Sequence, residues 1–254
     1  MIKVVLLGTG NVATHLLDAF LEHTDIALVQ VVGRNKKALA AFAPSVNTTT
    51  SYARIMEANV YLIAVSDDAI AEVAKNLSTK KGLVVHTSGA VALNALEYNE
   101  RRGVFYPLQT FSKGQRPNFK TIPICIEAGN ENDLHILTEL ASKISDNVVH
   151  ISSKQRGVLH ISAVFVNNFT NHCYQLGKEI CDENGLPFEL LKPLIMETAK
   201  KIQTLQPFEA QTGPAVRKDK KTLEKHNKQL KDETHREVYA LMSKSIEKSH
   251  GEKL

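Results

Sequence analysis

Two histidines and the polar residues near them carry the side chains best suited to acid–base chemistry. His86 follows an apolar run directly and precedes Thr87 and Ser88, while His160 lies in a long stretch of helical spacing that also holds Asn167. Imidazole titrates near neutral pH, so it exchanges protons readily with a bound molecule. We therefore expect catalytic roles for His160, the first choice as proton donor, for His86, the second choice, and for Asn167.

His86 and Ser88 also have a purely structural interpretation. His86 fits a buried histidine that is hydrogen-bonded within the core, and Ser88 fits the cap of a helix over residues 91–101. Short polar groups at the carboxyl end of a strand are equally where open α/β sheets place ligand contacts. The sequence leaves both interpretations open.

The long helical stretch raises the same question. At 100° per residue, His160, Asn167 and Asn171 share one helix face. Polar groups on an otherwise buried face need hydrogen-bond partners. This face either lines a substrate crevice or bonds to neighbouring helices.

Three further polar residues are candidates for substrate contacts. Gln109 lies in a loop after a strand that a proline interrupts, and Thr212 and Arg217 flank a Gly-Pro pair that no helix tolerates. A guanidinium on such a loop suits bidentate pairing with a carboxylate of a substrate. The alternative for Arg217 is a surface ion pair with Asp219.

The elements that position these residues begin with a glycine turn. An apolar strand runs into Gly8-x-Gly10-x-x-Ala13 and then into helical spacing. This turn aims free backbone N–H groups and a positive helix end at one point, as the pyrophosphate of a dinucleotide requires. The residues expected to bind a cofactor here are Gly8, Thr9, Gly10, Asn11 and Val12.

The end of the second strand indicates which dinucleotide is bound. NAD sites usually place a carboxylate there for the ribose 2′-OH, but this sequence has Arg34, Asn35 and Lys36. Arginine attracts the 2′-phosphate of NADP(H), so we expect that cofactor, with Asn35 and Lys36 assisting Arg34. A solvated basic helix start is the alternative. Ser66, Thr87 and Ser88 are expected near the nicotinamide end.

Composition excludes several other classes of protein. The 254 residues carry a net charge of +4 with mixed signs, which argues against a nucleic-acid partner. Three cysteines in no C-x-x-C arrangement indicate neither disulfides nor zinc, and no metal site is expected. The same cysteines make a reducing cytoplasm the expected compartment. No stretch approaches the roughly 18 apolar residues of a membrane span, so no membrane partner is expected.

The order of elements predicts an α/β fold in two domains. Residues 1–152 are expected to form a Rossmann domain with a doubly wound, mostly parallel sheet, and residues 153–254 an all-helical substrate and dimerisation domain. Residues 154–184 predict one helix of about 45 Å. A largely apolar helix of that length predicts burial against a second subunit, and so a homodimer through the C-terminal helices.

Several motifs together resemble a known family. Besides the glycine turn, they include Gly33-Arg34-Asn35, His86-Thr-Ser-Gly89, Pro107-Leu-Gln-Thr-Phe111 and a run from Thr212 to His226. The chain resembles the bacterial Rossmann-like NADP oxidoreductases with a helical C-terminal domain of unknown function. Those proteins are related to pyrroline-5-carboxylate reductase and to deazaflavin-dependent NADP oxidoreductase.

The resemblance implies a helical domain of the 6-phosphogluconate dehydrogenase type, and dimerisation through it. Related β-hydroxyacid dehydrogenases carry a catalytic Lys four residues before an Asn, but here Ala163 and Val164 occupy those places before Asn167 and Asn168. We therefore expect an NADP(H)-dependent oxidoreductase that reduces a small carbonyl or imine compound. The alternatives are a non-catalytic NADP(H) sensor and a deazaflavin-dependent NADP reductase.

Overall fold

The computed structural model describes residues 1–251, and within them eight strands form one sheet in the order β3-β2-β1-β4-β5-β6-β7-β8. Strands β1 to β6 are parallel, β7 is antiparallel to β6, and β8 is parallel to β7. The first six strands have the order expected of a doubly wound dinucleotide fold. The strands are β1 Ile2–Leu7, β2 Ile26–Val32, β3 Asn47–Thr49, β4 Val60–Ile63, β5 Leu83–His86, β6 Arg102–Pro107, β7 Ile124–Ala128 and β8 Val148–His150.

Helices cover both faces of this sheet, which explains why its strands are continuous apolar runs. Every residue of β4 and β5 is buried, and the core divides into two clusters, one on each side of the central strands. The helices of this part of the chain are α1 Asn11–Leu21, α2 Lys36–Leu39, α3 Ile70–Lys75, α4 Glu131–Ile144 and α5 Ser153–Ala163. The expected Rossmann architecture is confirmed.

No strand follows residue 150 in the described part of the chain. The helices there are α6 Thr170–Glu183, α7 Lys192–Lys201, α8 Pro207–Ala210, α9 Lys220–Gln229 and α10 Glu233–Gly251. The chain divides into two compact units, Met1–Asn167 and a second one that begins at Asn168. The first unit therefore includes α5, whereas the expected domain boundary at residue 152 preceded that helix. Residues 252–254 of the expected helical domain lie outside the described part.

The predicted helix over residues 154–184 contains a π-helical segment. Val164–Phe169 forms this segment between α5 and α6. A π turn closes its hydrogen bonds one residue later than an α turn, so the angle of 100° per residue does not hold there. The argument that put His160, Asn167 and Asn171 on one face is therefore wrong in its geometry.

One local expectation was also wrong. Residues 91–101 form a short 3₁₀ turn, Leu93–Leu96, in place of a helix. Within the described residues no helix has both the length and the apolar character needed to cross a membrane.

Candidate functional site

The glycine turn after β1 is shaped by a close backbone approach. Gly8 has φ of 132°, and a Cβ there would lie 2.0 Å from the carbonyl oxygen of Ala64 at the end of β4. Only glycine suits this position. At Gly10, in contrast, a Cβ would meet no atom within 4 Å, so the turn has open space above it.

Free hydrogen-bond donors face that space at the start of α1. Gly10 precedes the helix and provides no capping side chain. Within residues 1–251, the backbone N–H groups of Asn11, Val12 and Ala13 have no acceptor. Unpaired donors and the positive helix end together suit an anion, so the turn fits a pyrophosphate.

Two side chains of α1 fix the loop that follows β6. The Asn11 amide donates to the carbonyl oxygen of Phe111 at 2.9 Å, and His15 Nε2 lies 3.1 Å from the carbonyl oxygen of Ser112. The rings of His15 and Phe111 are 5.3 Å apart. The loop with Gln109 is thereby tied to the glycine turn, while Gln109 is exposed and its side chain bonds to the backbone of Thr110.

The residues after β2 form a basic, exposed group. Arg34 makes no hydrogen bond or ion pair within the described residues, which leaves its guanidinium available. The Asn35 oxygen caps α2 by accepting from Lys37 and Ala38, so that oxygen is already engaged. This part of the site fits the 2′-phosphate of NADP(H) through Arg34, with Lys36 close in sequence.

Lys36 also lines a cavity of about 360 Å³ that sequence reasoning missed. Its other polar lining comes from Arg54 and from Thr48, Thr49 and Thr50 at the end of β3. Two cationic side chains and three hydroxyl groups line the cavity, so it is suited to bind an anion. The position of these threonines at a carboxyl strand end was a signal available in the sequence.

His86 ends β5 and is fully buried. Its Nδ1 accepts from the backbone N–H of Ser88 at 3.2 Å, and Nε2 has no hydrogen-bond partner within the described residues. Burial, followed by the positive charge of Arg156, lowers the pKa of His86 from 6.5 to about 4. The ring is neutral at physiological pH, which favours a positioning role over proton donation.

The polar residues after His86 are partly committed to the backbone. Thr87 Oγ1 donates to the carbonyl oxygen of Ile63 at 3.3 Å. Ser88 Oγ accepts from the N–H groups of Ala90 and Val91 at 3.1 and 3.0 Å. Ser88 thus fixes the loop that precedes the short turn Leu93–Leu96, but it does not cap that turn.

A buried ion pair that the sequence did not indicate lies beside this edge. Arg156 on α5 is 1% exposed, and its Nη1 lies 2.5 Å from Glu127 Oε2 on β7. Its Nη2 donates to the carbonyl oxygen of Val91, and Ser153 Oγ donates to the same Glu127 oxygen at 2.7 Å. The cluster fixes the start of α5 against the sheet and against the loop after β5.

His160 is one turn further along α5 and contacts Tyr106 of β6. The Tyr106 hydroxyl and His160 Nδ1 are 3.2 Å apart. Gly89 lies against both, since a Cβ there would come within 2.7 Å of His160 Nδ1 and of Tyr106 Cζ. The first-choice proton donor is therefore beside the loop at the carboxyl end of β5.

The other predicted residues are exposed. Ser66 follows β4, and Asn167 lies in the π segment at the end of the first unit. Thr212 and Arg217 belong to the second unit, where Asp219 caps α9 through Thr222. Hydrogen bonds from Thr222 lower the pKa of Asp219, and the charge of Arg217 adds to this, although the two side chains make no direct ion pair within the described residues.

Comparison with solved structures identifies the family. The chain is 39% identical to a Bacteroides fragilis protein named "putative NADP oxidoreductase", with a TM-score of 0.90 over 97% of this chain and 98% of the other. The chain belongs to the NADP oxidoreductase family of that protein. Residues 3–88 match the family described as NADP oxidoreductase coenzyme F420-dependent, and residues 122–246 match a domain of unknown function, DUF2520.

More distant structures share the fold. The imine reductase of Myxococcus stipitatus in complex with NADP+ is 13% identical, with a TM-score of 0.69 over 99% of this chain and 95% of its own. Pyrroline-5-carboxylate reductase of Coxiella burnetii is 16% identical, with a TM-score of 0.58 over 99% and 98%. A search of curated sequences gave no match. The expected family is confirmed, and NADP(H) is confirmed as its cofactor at the level of the family.

Proposed function

We propose that this NADP-dependent oxidoreductase reduces a small carbonyl or imine compound. The observation that supports the substrate class is the His160 imidazole, which is held at Nδ1 by Tyr106 beside Gly89. NADPH supplies a hydride when bound. Reduction of C=O or C=N also needs one proton, and this chain offers an imidazole for it.

His160 is the proton donor in this proposal. Protonated His160 transfers the proton on Nε2 to the substrate oxygen or nitrogen while the substrate carbon gains the hydride, and the ring then regains a proton from solvent. His86 holds the β5 loop in place through Ser88 and is too poorly basic to share this role. Gln109, Thr212 and Arg217 are proposed to contact the substrate, an arginine being suited to a carboxylate, and Asn167 is proposed to assist His160 in catalysis.

The cofactor contacts are also proposals. The free N–H groups at the start of α1 hold the pyrophosphate, and Arg34 with Lys36 holds the 2′-phosphate. Calorimetric titration tests this assignment: NADPH is expected to bind at least about tenfold tighter than NADH, or roughly 1.4 kcal/mol. Arg34→Glu is expected to remove the preference, whereas Lys244→Glu, an equal charge change on α10, is the matched control. An unaltered preference in Arg34→Glu contradicts the assignment.

Turnover tests the enzyme proposal itself. Purified protein is supplied with NADPH and a panel of small aldehydes, ketones and cyclic imines, and NADPH consumption is followed by absorbance. Activity is expected on at least one member, and His160→Ala is expected to reduce kcat by roughly 10² or more. Full turnover in that variant rules out His160 as the proton donor.

One alternative follows from the family matched over residues 3–88, whose description includes coenzyme F420. A deazaflavin-dependent NADP reductase would bind the reduced deazaflavin and transfer its hydride to NADP+, which a spectroscopic assay detects directly. A non-catalytic NADP(H) sensor would bind NADPH tightly and turn over no substrate. The NADPH titration, the spectroscopic deazaflavin assay and the substrate panel together distinguish the three functions.

We also propose a homodimer formed by the C-terminal helices. Within residues 168–251 only Cys181, Ala215 and His235 are buried, too few for a stable core. Leu190 and Leu241 are both 68% exposed there, and an apolar surface of this kind marks an interface.

Light scattering after size-exclusion chromatography tests the dimer. The wild-type chain is expected at twice its monomer mass, and Leu190→Asp with Leu241→Asp is expected to shift it toward the monomer. Leu21→Asp changes an exposed leucine of α1 and is the control. A monomeric wild-type protein refutes the dimer.

Free thiols at the three cysteines support a reducing, cytoplasmic location.

A further inference from the structure

Tyr106 is placed beside His160 by the register of β6. The strand pairs with β7 so that Tyr106 lies opposite Cys125, and its neighbour Phe105 is fully buried in the core. Successive residues of a strand point to opposite faces, so Tyr106 points away from the side that holds Phe105. This face of β6 is the one on which it meets α5.

The contact has the geometry of a directed hydrogen bond. The hydroxyl oxygen lies 3.2 Å from His160 Nδ1, and the rings are at 73° with centroids 6.1 Å apart. Within residues 1–251 the hydroxyl has no other hydrogen-bond partner. A half-buried O–H with one available acceptor donates to it, so the neutral ring carries its proton on Nε2.

The opposite nitrogen is free to react. His160 Nε2 makes no hydrogen bond within the described residues, and this atom is not fully buried. Since His160 is only half-buried, Nε2 is accessible to solvent. Tyr106 therefore engages one nitrogen and leaves the other exposed.

Gly89 makes the arrangement possible. Its backbone occupies the space in front of the pair, and any side chain would collide with His160 Nδ1 and Tyr106 Cζ at 2.7 Å. Both contacts belong to rings rather than to flexible chain ends, so they yield little. The glycine of the β5 loop thus has a steric role at this pair.

We propose that Tyr106 is a positioning residue, whose hydroxyl fixes the ring orientation of His160 so that Nε2 stays directed at the substrate. The hydroxyl donates to Nδ1 of the resting neutral ring, and its oxygen accepts from the Nδ1–H that remains after Nε2 has given its proton to the substrate. This inference rests on the proposed function, in which His160 is the proton donor. When the ring is protonated, Nδ1–H donates to the Tyr106 oxygen instead, so the hydroxyl holds the ring in both charge states.

The surroundings keep the hydroxyl available for this role. Burial and then Cys125 raise the pKa of Tyr106, while the charge of Arg156 acts in the opposite direction. Tyr106 therefore remains a neutral phenol throughout the physiological range. Among the described residues, the titratable groups that act on it from β7 and α5 include Cys125, Arg156 and His160.

Nitrogen-15 NMR of the histidine rings tests the inference without substrate or cofactor. With His160 assigned by its absence in His160→Gln, the neutral ring of the wild-type protein is expected to show an unprotonated Nδ1 and a protonated Nε2. In Tyr106→Phe the two shifts are expected to move toward each other as both tautomers become populated. Tyr98→Phe removes a hydroxyl from an exposed ring and is expected to leave them unchanged.

Two outcomes overturn the inference: identical His160 shifts in Tyr106→Phe, or a protonated Nδ1 in the neutral wild-type ring. A failed substrate panel with the expected shifts refutes the proposed function and leaves the ring contact established. Where activity is found, Tyr106→Phe is expected to lower kcat about tenfold with little change in KM.

A glycine substitution provides an independent variant. Gly89→Ala is expected to displace the His160 ring and to shift its NMR signals even if Tyr106 is intact. Gly157→Ala, on α5 where a Cβ meets no atom within 4 Å, is the matched control. Unshifted His160 signals in folded Gly89→Ala contradict the close packing on which the inference depends.

Discussion

The buried neutral state of His86 predicts a specific loss of stability in acid. The residue ends a central strand with no exposed surface, and its pKa is lowered to about 4, first by burial and second by the charge of Arg156. The backbone of Ala92 and the carboxylates of Asp67 and Glu127 oppose this shift without reversing it. In the unfolded chain the same imidazole titrates at its ordinary value.

The sign and size follow from proton linkage. Between about pH 6.5 and pH 4 the unfolded state binds a proton at this residue that the native state does not, so stability falls as the pH falls. The unfolded and native pKa values of His86 are 6.5 and about 4. Their difference corresponds to a loss of about 3 kcal/mol in the free energy of unfolding when the pH has fallen below both values. From about pH 7.5 to about pH 5 the loss assigned to His86 is about 2 kcal/mol.

Urea unfolding at the two pH values measures this loss, with His86→Asn as the reference variant. Asparagine retains an acceptor where Nδ1 now receives the Ser88 N–H, but it does not titrate. Other titrating groups contribute equally to both proteins, so the wild-type chain is expected to lose about 2 kcal/mol more than the variant. Equal losses in the two proteins, or a His86 NMR titration midpoint near 6.5, refute the reasoning.

Two other predictions concern the glycine turn and the buried ion pair. Gly8→Ala is expected to destabilise the protein by more than about 2 kcal/mol, because its Cβ would lie 2.0 Å from the Ala64 oxygen. Gly10 has open space around it, so Gly10→Ala is expected to leave the melting temperature unchanged and to weaken NADPH binding in calorimetry. Glu127→Ala leaves the buried Arg156 charge unpaired and is expected to cost about 3–5 kcal/mol in urea unfolding. Arg156→Met is expected to cost less, since it leaves a carboxylate that water reaches; equal costs for the two variants contradict this asymmetry.

The sheet was predictable because its information is local. Apolar runs such as the one over β4 are buried on both faces, and such runs are typical of the strands of a parallel sheet. The sequence could not show that the helix expected over residues 91–101 is absent, because the segment is fixed by a distant residue: Ser153 accepts a hydrogen bond from the N–H of Leu93. Tertiary contacts determine the conformation of residues 91–101, and such contacts cannot be inferred from local helix propensity.

The candidate site divides in the same way. Gly8 and Arg34 follow from the chemistry of a phosphate beside a strand end, which a sequence displays in order. Tyr106 and Arg156 do not, because each acquires its role from a partner far along the chain: His160 in one case and Glu127 in the other. An arginine in a helical stretch, such as Arg156, is predicted to be a surface residue unless a partner such as Glu127 is known.

The same helix carries both the anchor and the proposed proton donor, and this arrangement gives the site its rigidity. Arg156 and His160 are four residues apart on α5, so they lie on one face of the helix, and that face meets the sheet. Ser152 and Gln155 close the start of α5 with a reciprocal cap, and the Arg156 cluster ties its first turn to β7 and the β5 loop. His160 therefore stands one turn beyond a fixed point, before the π segment changes the helical repeat. An imidazole held on such a support keeps its reactive nitrogen in one place, which proton transfer to a bound substrate requires.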